Sequence, residues 1–267
     1  MNGLRASWAK VASLAERLSE RDKEIIGHLA RVRLLTGAQL ERLSFTHHSD
    51  EHQSHIRRRV LKRLVDLELV GALERPIGGV RAGSAGLIYC LGRMGQRMAD
   101  LLNGSTPNGR TRSPRTPGDM FLRHTLAISE TFVSLVELSR QTATKLRTFH
   151  TEPNCWWPDG HGGFLRPDGL VIVEDDNYDA TSWLEIDQGS EHLGRIRAKI
   201  AAYERFAMTG TEGANGVLPH VVFATPGDSR ADAIAREIAN QGTLRMTYRV
   251  TTQEKLAATL FRELESS

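Results

Sequence analysis

The chain has 267 residues, of which 40% are hydrophobic and 25% are charged, with two cysteines and a formal net charge of +3. This length suits one large or two ordinary domains. The composition argues against a disordered chain, and no apolar run reaches the roughly 20 residues that span a membrane. Two distant cysteines exclude a disulfide scaffold and a cysteine-rich zinc site. Because Glu16 and Arg17 interrupt the N-terminal segment, we expect no signal peptide and predict a cytoplasmic protein without a membrane partner.

The charges are unevenly distributed along the chain. Residues 1–118 carry 20 Lys and Arg against 11 Asp and Glu, whereas residues 119–267 carry 15 against 21. A basic first half indicates a polyanionic partner, and an acidic second half is compatible with a carboxylate-rich site. Chance segregation of surface charge would give the same pattern without a function, so the charge pattern alone does not identify a partner or a site.

Apolar residues at helical spacing predict four helices before residue 70. A helix over residues 4–18 precedes one that begins near residue 25 and a short one over residues 38–43. Ser54 is placed to cap the next helix, which Gly71 would end.

Two strand-like runs follow these helices. Residues 72–75 and 87–91 flank the glycine-rich segment 76–86, which predicts a hairpin. After the N-terminal helix, the order of three helices and a hairpin resembles a winged helix-turn-helix. In that motif the third helix enters the major groove of DNA and the hairpin contacts the backbone. We therefore predict a winged-helix domain over residues 1–102, with double-stranded DNA as its partner.

The predicted recognition helix carries a run of basic residues. The members of this run, which would meet phosphates or guanine edges, are Arg57, Arg58, Arg59, Lys62 and Arg63. Arg81, in the predicted hairpin, would add a further DNA contact. A solvated helix face is the alternative, but the helix order, the hairpin and the basic run all indicate DNA.

Residues 103–118 predict a linker, because Pro, Gly, Ser, Thr and Asn dominate them and they contain three arginines and no acid. The remaining residues, 119–267, predict helices that alternate with strands. The helices are predicted over 121–140, 195–208, 230–240 and 253–264, and the strands over 170–173, 183–186, 221–224 and 244–250. We therefore predict an α/β (α+β) fold in which an αβ sandwich follows the winged helix.

Acidic residues on two neighbouring strands form the most specific candidate site. Asp168 opens one strand and Glu185 lies on the next, so their carboxylates can converge on Mg²⁺, which prefers oxygen ligands. A bound Mg²⁺ polarises a phosphodiester and helps to make hydroxide from water. Glu130, on the preceding helix, is a candidate third carboxylate. Lys199 could position the nucleophile or neutralise the phosphate, and Tyr203 lies one turn further along the same helix face.

This order of motifs resembles the PD-(D/E)XK nuclease superfamily. More narrowly, the chain is similar to the replication-relaxation family of actinobacterial plasmids and integrative elements, in which a winged-helix half precedes a nuclease-like half. The resembling pieces are residues 20–102, His124 with Glu130, and the segments 166–169, 184–189 and 197–203. The resemblance implies a role in plasmid or mobile-element replication and DNA relaxation, with Mg²⁺-dependent nicking or cleavage at the five residues above.

One position departs from the superfamily pattern. A lysine is expected two residues after the strand glutamate, where this chain has Asp187. Lysine supplied from the following helix is a known variation, which Lys199 fits. If Lys199 does not reach the carboxylates, the domain would bind DNA without cutting it.

Other interpretations stay open at the level of sequence. Asp168 can form a turn, and Glu185 can occupy an exposed strand position, without any catalytic role. The protein can be a non-enzymatic DNA-binding regulator or replication accessory, or it can use an inactive second domain for dimerisation. The first helix offers an apolar stripe for a homodimer, by analogy with other winged-helix proteins. Trp156 and Trp157 could offer stacking surfaces to a base, although such residues more often pack internally.

Overall fold

The computed structural model describes residues 2–46, 50–73, 86–105, 111, 115–242 and 244–265. By its internal contacts the chain divides into two compact units, Met1–Ser129 and Glu130–Ser267. This division falls inside the helix that follows the predicted linker, and the predicted limits 1–102, 103–118 and 119–267 stay a prediction. No helix within the described ranges is long and apolar enough to cross a membrane.

The described part of the first unit contains five helices, the start of a sixth and a small sheet. The helices are α1 (Asn2–Ala15), α2 (Glu20–Val32), α3 (Gly37–Ser44), α4 (Asp50–Asp66), α5 (Arg93–Leu102) and α6 (Asp119–Gln141). The strands are β1 (Leu35–Thr36), β2 (Val70–Ala72) and β3 (Ile88–Leu91), and they form an antiparallel sheet in the order β1-β3-β2.

The order of α2, α3, α4, β2 and β3 follows the predicted order. Helix α4 begins at Asp50 rather than after Ser54, and Gly71 lies in β2 instead of ending the helix. Strand β1 is not predicted, because two residues are too few to show an alternating pattern. Residues 74–85, which include Arg81 and most of the predicted hairpin, lie outside the described residues.

Capping boxes start helices α2 and α3. The Ser19 hydroxyl accepts from the Asp22 N–H, and the Asp22 carboxylate accepts from the Ser19 N–H; Thr36 and Gln39 repeat this exchange at α3. Each box pairs backbone N–H groups that a first helical turn leaves without partners. The apolar faces of α2, α3 and α4 then supply core residues, among them Ile25, Ile26, Leu29, Val32, Leu40, Leu43, Leu61 and Leu64.

The second unit contains the rest of α6, seven described strands and three further helices. The strands are β4 (Lys145–Thr151), β5 (Trp157–Pro158), β6 (Phe164–Leu165), β7 (Gly169–Glu174), β8 (Asp179–Ile186), β9 (His220–Thr225) and β10 (Tyr248–Thr252). The helices are α7 (Leu193–Met208), α8 (Asp228–Ala239) and α9 (Leu256–Glu265). Strand β10 begins and ends later than predicted, and β4, β5 and β6 are additions to the prediction.

Five of these strands form one mixed sheet in the order β10-β9-β8-β7-β4. Strands β4, β7 and β8 pair antiparallel, whereas β8, β9 and β10 pair parallel. Strands β5 and β6 form a separate antiparallel pair. The chain is therefore a mixed α/β protein, which confirms the predicted α+β class.

Strands β7 and β8 are buried along most of their length, and β7 carries a continuous apolar run over residues 170–173. Helix α7 covers one face of β8, where Trp183 packs against Tyr203 and Phe206 with ring centroids 5.6 and 5.4 Å apart. Because alternate strand residues share a face, Glu185 lies on the same covered side as Trp183. This packing puts a carboxylate in the protein interior beneath α7.

Candidate active site

Asp168 and Glu185 lie opposite each other at the end of the β7–β8 hairpin that is remote from its turn. Gly169 pairs with Leu184, and the register continued by one residue sets Asp168 against Glu185 on one face of the sheet. The Asp168 Oδ2 atom accepts a 2.6 Å hydrogen bond from the backbone N–H of Ile186. The two acids are only 8% and 3% exposed. The sheet register thus brings two carboxylates to one buried place.

Helix α7 brings a cation and a phenol to Glu185. The Lys199 Nζ atom lies 2.8 Å from Oε2 of Glu185, and the Tyr203 hydroxyl donates a 2.6 Å hydrogen bond to Oε1. Residues four apart on a helix share a face, which explains how both side chains reach one carboxylate. Four of the five predicted catalytic residues therefore lie in one cluster.

The titration of the cluster is dominated by burial. Burial raises the pKa of Glu185 to about 7, and Asp168 adds to the rise while Lys199 and Tyr203 oppose it. Burial would lower the pKa of Lys199, but the carboxylates of Glu185 and Asp168 outweigh it and raise the pKa. Burial and the Glu185 charge hold the pKa of Tyr203 well above its ordinary value. At neutral pH Lys199 is therefore cationic, and Tyr203 is a neutral donor.

A further carboxylate, Glu191, contacts Lys199. Its Oε2 atom lies 3.2 Å from the Lys199 Nζ atom. Glu191 belongs to the loop between β8 and α7, so no helical or strand spacing in the sequence marks it. The ammonium group of Lys199 is thereby fixed between two acids, Glu185 and Glu191.

Asp187, which stands where the superfamily pattern has lysine, forms an ion pair with Arg230 of α8. The Asp187 carboxylate accepts hydrogen bonds of 2.6 and 3.3 Å from Nε and Nη2 of Arg230. The same guanidinium donates to the Glu191 carbonyl at 2.6 Å, and the Gln253 amide donates to the Asp187 carbonyl at 2.9 Å. Arg230 thus clamps the loop that carries Glu191. Arg230 could not be predicted from the sequence, because no motif links it to a residue 43 positions earlier.

Asp168 and Glu185 could hold a divalent cation between them. Carboxylate oxygens are hard ligands, and Mg²⁺ commonly binds through one or two carboxylates and completes its shell with water and phosphate oxygens. Each Glu185 oxygen accepts one hydrogen bond from Lys199 or Tyr203, and a carboxylate offers about four acceptor positions in all. Among the described residues no group of three or more His, Cys, Asp or Glu side chains is arranged to hold a metal ion. Glu130 is therefore not brought in as a third ligand, and its assisting role stays a prediction.

The predicted DNA-binding residues of α4 divide into two sets. Arg57 is 5% exposed and ion-paired with Glu41, so it is turned into the protein rather than towards solvent. Arg63 contacts the buried Asp22 carboxylate at 2.6 Å. The remaining three residues are exposed on the helix: Arg58, Arg59 and Lys62. These three are exposed and the Arg63 side chain is half exposed, whereas Arg57 is directed into the interior.

Comparison with protein families agrees with the resemblance seen in the motifs. No significant match was found among curated proteins or among solved structures. The family model described as replication-relaxation matches residues 26–221, which includes the described part of α4 and the whole Asp168–Tyr203 cluster. This match covers well over half of the chain, and the chain therefore belongs to the replication-relaxation family.

Proposed function

We propose that the chain is a DNA-binding protein of plasmid or mobile-element replication and relaxation, and that its second unit nicks or cuts DNA with the help of Mg²⁺. Membership of the replication-relaxation family suggests the biological role and DNA as the partner. The single observation that supports cleavage is the contact of Lys199 with Glu185 at 2.8 Å. Lys199 of α7 therefore lies beside the Asp168–Glu185 pair, although position 187, where the superfamily pattern has lysine, is occupied by aspartate.

Each residue of the cluster has a role that follows from its contacts. Asp168 and Glu185 would hold the Mg²⁺, which when bound polarises a phosphodiester and favours hydroxide. Lys199 keeps its charge and would offset the negative charge that develops on the phosphate. Tyr203 is buried with a protonated hydroxyl, which suits it to orient Glu185 rather than to attack phosphorus. These assignments make Tyr203 a positioning residue.

The first unit would supply duplex binding through the exposed face of α4. Arg58, Arg59 and Lys62 are exposed there, and basic side chains on a helix contribute affinity mainly through phosphate contacts. The order α2, α3, α4, β2 and β3 supports the winged-helix interpretation. Arg81 stays a predicted contact, because it lies outside the described residues.

DNA binding without cleavage is the second candidate function. It is favoured by Asp187, which occupies the position where the superfamily pattern has lysine and forms an ion pair with Arg230. In this case the second unit would use a nuclease-like cluster as a binding surface only.

Nicking of supercoiled plasmid in Mg²⁺ or Mn²⁺ tests the choice between these candidates. Wild type is compared with Asp168→Asn and Glu185→Gln, which keep the side-chain shape but remove the charge. Asp179→Asn is the matched control, because Asp179 lies on the same strand as Glu185 at the other end of the hairpin. We expect nicked or linear product from wild type and from Asp179→Asn, and loss of product from the other two variants.

Retained nicking in Asp168→Asn and Glu185→Gln would contradict the assigned site. No product from wild type on any plasmid or oligonucleotide, with DNA binding intact, would overturn cleavage and leave the binding function. Melting temperatures of all variants verify that each protein is folded.

A further inference from the structure

The short β5–β6 hairpin directly precedes Asp168 and is closely ordered. Trp157 pairs with Leu165, and Asp159 accepts backbone hydrogen bonds from His161 and Gly163 at 2.8 and 2.9 Å, which closes the turn. The hairpin therefore presents its side chains in fixed positions rather than as a loose loop.

A buried thiol ties this hairpin to the candidate active site. Cys155 Sγ donates to the Pro167 carbonyl oxygen at 3.0 Å. Burial raises the pKa of the Cys155 thiol to about 12, so the thiol keeps the proton that it donates. Trp156 follows Cys155, and Arg166 and Asp168 flank Pro167. The thiol itself lies near the Asp168–Glu185 pair, because both carboxylates contribute to the rise in its pKa, and Arg166 precedes Asp168 by two residues.

Arg166 is an exposed cation stacked on an aromatic ring. Its guanidinium carbon lies 4.6 Å from the centroid of the Trp156 ring, as expected when the Trp157–Leu165 register continues by one pair. Arg166 forms no ion pair with any residue that the structure describes. An arginine held over an indole, with no carboxylate partner within those residues, is arranged to receive an anion or a second π-system.

Phe164 extends this surface. Phe164 and Arg166 are exposed and Leu165 between them is buried, so the first two point to the same side. Phe164 is 54% exposed, which leaves a large apolar ring in water beside a cation. Exposed aromatic rings next to basic side chains are the elements on which successive bases of a single strand stack.

We propose that Phe164 and the stacked Arg166–Trp156 pair form a platform for unpaired nucleobases of the DNA strand that enters the active site. This inference rests on the proposed function and specifies its substrate as locally single-stranded DNA. In a duplex the base faces are stacked on each other, so only melted or single-stranded DNA can present them to these rings. Arg166 would in addition contact the phosphate that follows the stacked base.

Fluorescence anisotropy with a labelled single-stranded oligonucleotide in EDTA tests the platform without any need for cleavage. Phe164→Ala and Arg166→Ala are compared with wild type, first on the single strand and then on a blunt duplex of the same sequence. Tyr178→Ala, which removes a 57% exposed ring from another turn of the same unit, and Arg236→Ala, which removes an exposed charge from α8, are the matched controls.

We expect Phe164→Ala and Arg166→Ala to weaken single-strand binding by about fivefold or more, as for the loss of one stacked base. Duplex affinity and both controls should stay at the wild-type level. An abasic oligonucleotide, which keeps the phosphates, should bind wild type at least as weakly as the intact strand binds Phe164→Ala. Unchanged single-strand affinity, or an equal loss on duplex and abasic DNA, overturns the platform.

The nicking and binding measurements can contradict the platform and the cleavage function independently of each other. If wild type nicks plasmid while Phe164→Ala and Arg166→Ala bind single strands normally, the platform is wrong and cleavage stands. If no DNA is cut and the two variants still lose single-strand affinity, cleavage is wrong and the platform stands. Trp156→Phe, which keeps a ring under Arg166, should retain most of the affinity, whereas Trp156→Ala should not.

Discussion

Asp22 in the first unit and Glu185 in the second are both buried carboxylates that accept a hydrogen bond from a cation. Their pKa values nevertheless move in opposite directions. Burial would raise the pKa of Asp22, but hydrogen bonds from Arg63 and Ser19 outweigh it and lower the pKa. Burial raises the pKa of Glu185 to about 7 although Lys199 and a phenol donate to it.

The groups that face each carboxylate explain this difference. A second acid, Asp168, lies opposite Glu185 and raises its pKa, whereas the groups that shift Asp22 include no other acid. A buried carboxylate whose charge is compensated by a cation stabilises the folded structure. Two buried acids that share one lysine keep surplus negative charge, which favours the binding of a further cation. Asp22 thus belongs to a structural ion pair, whereas Glu185 belongs to a candidate active site.

Removal of the cation from the second unit should give the largest effect. Lys199→Met takes away the charge that offsets the phosphate, so we expect the nicking rate to fall by about 100-fold or more. Affinity for DNA should persist. The rate is measured on supercoiled plasmid and the affinity by anisotropy.

Arg205→Met is the control for this variant, because Arg205 is exposed on the same helix. It should nick at the wild-type rate. If Lys199→Met nicked plasmid as fast as Arg205→Met, Lys199 would have no role in cleavage.

Removal of the cation from the first unit should change stability instead. Arg63→Met leaves the buried Asp22 carboxylate without its ion pair, which we expect to lower the free energy of unfolding by about 2 kcal/mol at pH 7. This value is at the low end for such pairs because the Arg63 side chain is half exposed. Urea denaturation measures it.

The double variant Asp22→Asn with Arg63→Met should unfold less easily than Arg63→Met alone, because no uncompensated charge remains. The lowered pKa of Asp22 means that its contribution is present above its ordinary value of 3.8 and is lost as the pH falls through the folded-state pKa. The difference between wild type and Arg63→Met should therefore shrink in strong acid. A constant difference across this range would contradict the ion-pair explanation.

The raised pKa of Glu185 predicts a pH-dependent affinity for divalent cations. A cation binds the ionised carboxylate, and the carboxyl is ionised above its pKa of about 7. The affinity for Mn²⁺ should therefore be level above this pH and fall by up to about tenfold per pH unit below it, with release of a proton on binding. Calorimetry in two buffers of different ionisation enthalpy measures both quantities. Glu185→Gln should bind weakly at every pH; a wild-type affinity that stays constant from pH 6 to pH 8 would contradict the assignment.

An exposed ion pair of α4 should show the smallest effect on stability. Lys62 and Asp66 lie 2.8 Å apart in solvent. Lys62→Met should change the free energy of unfolding by no more than about 0.5 kcal/mol. If α4 contacts DNA, the same variant should weaken duplex binding and reduce the slope of log affinity against log salt by about 1. An unchanged slope would argue that this face of α4 does not meet phosphates.

The parts of the site that lie in regular elements could be predicted from the sequence. The four-residue spacing of Lys199 and Tyr203 places both on one helix face, and two apolar runs that carry Asp168 and Glu185 predict neighbouring strands. These relations depend on helix and strand periods alone. The mixed α/β class follows from the same alternation of elements.

The remaining parts depend on tertiary contacts that no local pattern encodes. Glu191 reaches Lys199 through a loop, and Arg230 reaches Asp187 across 43 positions. Three consecutive arginines on a helix span about 200° of its circumference, so the run in α4 could not reveal that Arg57 faces inward. Strand β4 is only partly buried and carries exposed basic residues, and it therefore lacks the apolar run that marks β7.

In the β7–β8 hairpin, Asp168 and Glu185 lie at equal distances from the turn. Glu174 pairs with Asp179 beside the turn, and six positions further along each arm stand Asp168 and Glu185. One residue added to a single arm would rotate its acid to the opposite face of the sheet, while residues added at the turn would leave both acids in place. Six residues of strand span roughly 20 Å. The turn is thus the position where a tag or fluorescent label can be inserted without disturbing the chemistry at the far end.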